Sequence, residues 1–241
     1  MEIAVGKIKF SLLALLVYLS LTVLLISLGF WQMGRADEKR IFLQKQAQSA
    51  EQDIVKLELL IELDLEKIRY RKVNVTGHFD QDHQFLIDNQ IVNGRAGYFV
   101  MTPFKIDNSN TAVLVNRGWV ELNKDRRILP DLPITNLKTS ISARINHFPV
   151  VGIRLDGAEI PTESWPSVVQ VVDSEVLSNK LGYSLLSYQL ELAADMKDGY
   201  IREWKKNTII SPEKHIAYAV QWFGLAFTLT VLFLWFSSKK D

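Results

Sequence analysis

The chain has 241 residues, 28 Lys and Arg against 27 Asp and Glu, a formal net charge of +1 and no cysteine. Its size allows one ordinary domain with additions and a core that needs no covalent staples. The balanced charge lacks the basic surplus of a nucleic-acid binder, and the missing thiols exclude a disulfide scaffold, a cysteine nucleophile and a thiolate metal site.

Apolar residues make up 48% of the chain but are spread unevenly. Phe10 to Gln32 contains no charged residue and is dense in Leu, Val and Ile. About 20 such residues, at 1.5 Å each, cross roughly 30 Å of hydrocarbon, where only a continuous helix satisfies its own backbone. A transmembrane helix is predicted over 10–32. The apolar run exceeds the usual length in a signal peptide and no small-residue cleavage site follows, so it reads as an uncleaved anchor. Arg35 to Gln52 is polar, free of Pro and rich in helix formers, which predicts a helix continuing past the membrane. Asp53 to Lys67 reads as a short helix and a linker.

From Tyr70 the pattern becomes β. Val73 and Val75 alternate with polar residues ahead of Gly77-His78-Phe79. Gln84 to Asp88 is a second strand, and Asn93-Gly94 is a strong hairpin turn signal. Tyr98 to Ile106 and Thr111 to Val120 flank Asp107-Asn108-Ser109-Asn110 and should pair. Further strands are expected at Ser140 to Ile145, Val168 to Val172 and Tyr188 to Leu192, with one helix at Ser174 to Leu181 stopped by Gly182. Ile216 to Ser238 is the second uncharged stretch, and a second membrane helix is predicted over 215–236. Trp31 and Trp235 suit the membrane interfaces.

The organisation expected is therefore an N-terminal flank (1–9), a first membrane helix (10–32), a domain with a helical connector (33–214), a second membrane helix (215–236) and a short tail (237–241). Lys7 and Lys9 precede the first helix, and Lys239 and Lys240 follow the second. The positive-inside rule then puts both termini in the cytoplasm. Residues 33–214 carry 24 basic and 25 acidic residues and give no contrary signal. The fold class is a membrane protein whose two transmembrane helices flank a mostly antiparallel, β-rich (α+β) extracytoplasmic domain, a sheet or partly open barrel.

Catalytic motifs are missing. There is no G-x-S-x-G elbow, Walker A loop, G-x-G-x-x-G or H-E-x-x-H. His78, His83, His147 and His215 show no metal-site spacing, and on an unbroken strand His78 and His83 would face opposite ways. No enzymatic activity is expected. His215 opens the second helix with Tyr218 at i+3, Ala219 at i+4 and Trp222 at i+7 on its face. That face suits either a flat macrocycle ligated by a neutral imidazole or an interfacial histidine among lipid headgroups. Arg35 reads as a headgroup anchor or a partner for carboxylates. Arg117 reads as buried and bridged to an acidic residue, with Trp119 in the core. Arg202, Trp204, Lys205 and Lys206 gather outside the second helix, as a phospholipid belt or a ligand site. Gln32 and Gln221 are polar at membrane depth, and each should find a partner.

Several blocks occur in a telling order. They are Leu28-Gly29-Phe30-Trp31-Gln32-Met33-Gly34-Arg35 with Lys39, Gly77-His78-Phe79, Asp88-Asn89-Gln90, Gly97-Tyr98-Phe99-Val100-Met101-Thr102-Pro103-Phe104, and Val115-Asn116-Arg117-Gly118-Trp119-Val120. The last is His215-Ile-Ala-Tyr218-Ala219-Val-Gln221-Trp222-Phe223. Over nearly its whole length the chain resembles the surfeit-locus family of cytochrome c oxidase assembly factors. The resemblance implies a non-enzymatic chaperone of the respiratory chain in the bacterial inner (cytoplasmic) membrane. It would bind haem a as cargo and help deliver it to the large catalytic subunit of the oxidase, with haem a synthase as a further partner. It also implies that a histidine of the second helix ligates the iron, a position His215 matches. Tyr218 and Trp222 would then wall the pocket, and Arg35 and Arg202, with Lys205, would face the propionates. The Gly-Tyr-x-x-x-Thr-Pro-Phe and Asn-Arg-Gly-Trp blocks belong to the domain, where Arg117 and Gly118 read as structural. The competing reading is a cofactor-free membrane scaffold that holds oxidase subunits during assembly.

Overall fold

The computed structural model describes residues 2–5, 8–150, 155–204 and 210–238. Lys7, Lys205, Lys206, Lys239 and Lys240 lie outside the described residues. The chain forms two compact units, one of residues 1–45 with 206–241 and one of residues 46–205.

In the first unit, β1 (Glu2–Val5) and β2 (Ile8–Ser11) pair as an antiparallel hairpin. Helix α1 (Leu12–Glu51) follows and runs past the membrane as expected. It starts two residues later than predicted because Phe10 and Ser11 belong to β2, and the Ser11 hydroxyl accepts the Ala14 amide at 3.1 Å. The last helix of the chain (Pro212–Ser238) begins three residues earlier than predicted. Pro212 occupies its first turn, where a missing N–H is harmless, and the Ser211 carbonyl accepts the Lys214 amide at 3.1 Å.

Each of these helices turns a narrow seam inward at steps of three and four residues. On α1 the seam is Tyr18, Thr22, Leu25, Gly29, Gln32 and Ala36; on the last helix it is His215, Ala219, Trp222 and Ala226. This 3.5-residue period belongs to helices packed side by side. Tyr18 stacks on Phe233 at 4.2 Å, and its hydroxyl lies 3.1 Å from that of Thr230. Phe30 meets Phe223 edge to face at 5.5 Å, and Phe223 also fills the space where a Cβ on Gly29 would stand. The remaining faces are apolar and exposed, as at Leu13, Val23, Phe30, Val220 and Phe227. Water tolerates no such continuous apolar mantle, and hydrocarbon requires one. The chain is a two-span membrane protein with a β-rich domain.

The second unit is that domain. It contains β3 (Val55–Lys56), α2 (Leu65–Ile68), β4 (Lys72–Phe79), β5 (Phe85–Val92), β6 (Arg95–Ile106) and β7 (Thr111–Glu121). After these come β8 (Lys138–Asn146), β9 (Ser167–Val169), α3 (Ser174–Leu181) and β10 (Ser184–Leu192), and the last helix of the chain is accordingly α4. Asp173 caps α3 by accepting the Glu175 and Val176 amides, and Gly182 stops it in the left-handed region at φ 76°.

The strands form one sheet in the order β3-β4-β8-β10-β7-β6-β5-β9, and β4 also pairs with β6. That extra pairing closes β4, β6, β7, β10 and β8 into a five-stranded ring, a small Greek-key barrel. Gly77 makes the closure possible, since a Cβ there would fall on the Lys105 carbonyl and the Phe104 ring. Alternate residues of β4 point inward (Val73, Val75, Phe79) to meet Phe104, Ile106, Val113, Val115, Ile141, Tyr188 and Leu190. A second cluster, with Phe85, Ile87, Met101, Leu114 and Leu177, packs beneath α3.

The sheet is mostly antiparallel, as expected, with three parallel pairings among the described residues. β10 pairs parallel to β7, β3 parallel to β4 and β9 parallel to β5. The predicted strand at Val168 to Val172 shortens to Ser167–Val169, and that at Tyr188 to Leu192 lengthens back to Ser184. β4 ends at Phe79, so His83 lies in the following turn and strand alternation does not relate it to His78.

Candidate functional site

His215 stands in the first turns of α4 and is 7% exposed. Its Nδ1 lies 2.7 Å from Gln32 Oε1 on α1, so the ring N–H donates to the amide oxygen across the helix seam. The other ring nitrogen, Nε2, has no hydrogen-bond partner among the described residues. Ala219, one turn along, is fully packed, Trp222 is half-buried and Tyr218 is exposed. Arg35, one turn beyond Gln32, pairs with Glu38 at 2.6 Å. Of the two membrane glutamines, Gln32 has its partner in His215. Gln221 is exposed and has none among the described residues.

Chemically this is a single nitrogen donor held at one end of an apolar helix pair. Among the described residues no group of three or more His, Asp and Glu side chains could hold a metal ion. A cavity of about 620 Å³ lies between the helices at their other end, lined by Tyr18, Leu21, Leu229, Phe233 and Phe236. His215, Tyr218 and Trp222 are not part of its wall.

In the domain, the Asn116-Arg117-Gly118-Trp119 block on β7 clasps residues 198–202. The Arg117 carbonyl oxygen accepts Tyr200 N at 2.6 Å, and Trp119 exchanges both backbone bonds with Ile201, at 2.8 and 3.2 Å. Gly118, at φ 113°, allows this approach, because a Cβ would stand 2.7 Å from the Ile201 carbonyl oxygen. Arg117 is 1% exposed and, contrary to expectation, is bridged to no acidic side chain among the described residues. Its Nε donates to Asp198 O and its Nη2 to Pro133 O, both at 2.7 Å, while Nη1 donates to Gln84 Oε1 at 2.8 Å. Its guanidinium also lies 5.1 Å from the centre of the Tyr200 ring. Backbone carbonyls replace a carboxylate because the site lies where three loops converge, and burial lowers the pKa of Arg117.

Trp119 is in the core as predicted, and its Nε1 donates to Gln90 O at 2.9 Å. Gln90 follows a bulge in β5 where Asn89 takes φ 59°, which gives the Asp88-Asn89-Gln90 block its part in the fold. In the Gly97 to Phe104 block, a Cβ on Gly97 would overlap the Val120 carbonyl and the Trp119 ring, and Thr102 donates to Gln84 Oε1 at 2.8 Å. The guanidinium of Arg202 is committed to the carbonyls of Ala193 and Tyr200, and Trp204 Nε1 donates to Leu192 O at 2.9 Å.

One cluster carried little sequence signal. Asp80 accepts from His83 Nδ1 at 2.8 Å and from the Tyr183 hydroxyl at 2.8 Å, with Lys105 Nζ at 3.2 Å. Burial opposes ionisation of Asp80, but the bonds from Tyr183, His83 and Lys105 outweigh it and hold the carboxyl below its ordinary range. Burial and the bond to Asp80 together push the Tyr183 phenol far upward. Only the i, i+3 spacing of Asp80 and His83 could have suggested part of this group.

The described motifs and fold can be set beside known proteins. The SURF1 family model matches residues 19–227. The chain belongs to the SURF1 family. A SURF1-like protein of Rickettsia bellii is 28% identical over 229 residues, covering 88% of this chain and 85% of its own length. The cytochrome oxidase assembly protein SHY1 of Saccharomyces cerevisiae is 31% identical over 105 residues, which is 43% of this chain and 26% of the yeast protein. Surfeit locus protein 1 of Xenopus tropicalis is 23% identical over 86% of this chain and 70% of its own length.

Proposed function

We propose that this SURF1-family protein is a non-enzymatic assembly factor for a haem–copper cytochrome c oxidase and that it carries haem a toward the large catalytic subunit. Membership of the family, together with the name of its yeast relative, supports the role in oxidase assembly. The observation that carries the haem reading is the Nε2 of His215, left without a partner among the described residues at the end of an apolar helix pair. A neutral imidazole nitrogen is a sound axial ligand for haem iron. The exposed Tyr218 and half-buried Trp222 offer aromatic surface on the same face for the macrocycle. Arg35 can exchange its exposed pairing with Glu38 for a propionate at little cost, since surface ion pairs contribute at most about 1 kcal/mol. The oxidase large subunit is the partner this role requires, and haem a synthase is a further candidate. The flanking lysines favour an inner-membrane protein with cytoplasmic termini and a periplasmic domain.

Protein purified in detergent from cells that make haem a should show a Soret band and yield haem a on extraction, and His215→Ala should lose most of both. An undiminished band in that variant would remove His215 as the ligand. A second reading, the cofactor-free scaffold, is favoured by the deep burial of His215 and its bond to Gln32, which by themselves suit a structural tie between helices. Colourless protein that still co-purifies with oxidase subunits would decide for it.

A further inference from the structure

We infer that Gln32 is a positioning residue for the His215 ligand: it engages Nδ1 and leaves Nε2 as the one nitrogen open to iron. This rests on the reading of His215 as the haem ligand. An imidazole has two nitrogens, and Nδ1 is taken by the Gln32 amide at 2.7 Å. The Nε2 lone pair points across the ring, away from that bond, so Nε2 would be the nitrogen that holds an iron. A hydrogen bond to the second nitrogen of a ligating histidine fixes its tautomer and ring orientation and raises its basicity. Residues on two helices, 183 positions apart in sequence, therefore build a single ligand. Gln32 is also suited chemically, because a neutral amide keeps the same partner at any pH. A carboxylate in its place would draw the Nδ1 proton and give the ring partial imidazolate character.

The test uses the full-length haem-loaded protein, with wild type, Gln32→Leu, Gln32→Glu and Tyr18→Phe compared. Resonance Raman spectroscopy reads the iron–histidine stretch, a redox titration reads the midpoint potential, and transfer to apomyoglobin reads haem release. Gln32→Leu should lower the stretch and speed release by about 10–100-fold, the usual effect of losing such a partner. Gln32→Glu should raise the stretch and lower the potential. Tyr18→Phe removes the helix-to-helix bond to Thr230 without touching His215 and should leave all three readings unchanged. If Gln32→Leu does not fold, the stretch and potential of Gln32→Glu still carry the test. A coloured wild type and a colourless His215→Ala, with stretch and potential unmoved in the Gln32 variants, would overturn the role of Gln32 alone. A colourless wild type would overturn the haem reading itself.

Discussion

Replacing Arg117 by Met should cost the domain about 1–3 kcal/mol. Met keeps much of the aliphatic stem but donates nothing, so the Asp198 and Pro133 carbonyls lose donors at 2.7 Å and Gln84 Oε1 loses one at 2.8 Å. A buried acceptor left unpaired costs roughly 1–3 kcal/mol. Gln84 Oε1 keeps the Thr102 hydroxyl, and Pro133 is exposed and Asp198 half-buried, so water replaces part of what the two carbonyls lose. Against this, removing the guanidinium also removes the penalty of burying a charge. The net loss is a large share of the roughly 5–15 kcal/mol that holds an ordinary domain together. It should also be local at first. Residues 198–202 are tied to β7 by Tyr200, Ile201 and the Arg117 side chain, so their amides should lose hydrogen-exchange protection before those of β4. Urea unfolding of the detergent-solubilised chain measures the first effect, and exchange read by mass spectrometry measures the second. A loss below about 1 kcal/mol, or protection falling equally in both segments, would refute this account of the buried arginine.

Gly118→Ala must place a Cβ at φ 113°, 2.7 Å from the Ile201 carbonyl oxygen. It should cost about 1–3 kcal/mol and open the same 198–202 segment, and unchanged exchange there would contradict the clasp. Asp80 has a folded-state pKa below its ordinary 3.8, so its contribution to stability is present above that pH and lost as pH falls through the folded value. The urea midpoint of the wild type should therefore drop on acidification below about pH 4, and Asp80→Asn should flatten that part of the profile. An identical acid slope in the two proteins would show that the Asp80 cluster contributes nothing there.

Features written in short stretches of chain were legible from sequence. The membrane helices are marked by uncharged runs, α3 by Asp173 and Gly182 at its ends, and the β5–β6 hairpin by Asn93 and Gly94, which take φ 50° and 77°. Features that depend on distant partners were not. A strand's sequence shows which residues face inward, but not which strand lies beside it, so the parallel β7–β10 pairing and the β4–β6 closure were missed. Arg117 shows the same limit at a single residue. A buried arginine predicts acceptors of some kind, and carbonyl oxygens carry no identity in the sequence. His215 was recognisable as the opening of the second helix and Gln32 as a polar group at membrane depth, yet their pairing depends on the register of two helices. The Asp80 cluster draws on the turn after β4, on β6 and on the residue before β10, and only Asp80 and His83 are close in the chain.

The place of β10 in the ring bears on the order in which the protein is made. Among the described residues β10 is the last strand in sequence, yet it lies between β7 and β8, both synthesised earlier. Until Ser184 to Leu192 have left the ribosome, those two strands each present an unpaired edge, open to wrong partners. The clasp at 198–202 comes later still, and α4 follows from Pro212. The first membrane helix must therefore anchor an unfinished barrel for most of translation. The domain gains its closing strand only shortly before the second helix emerges.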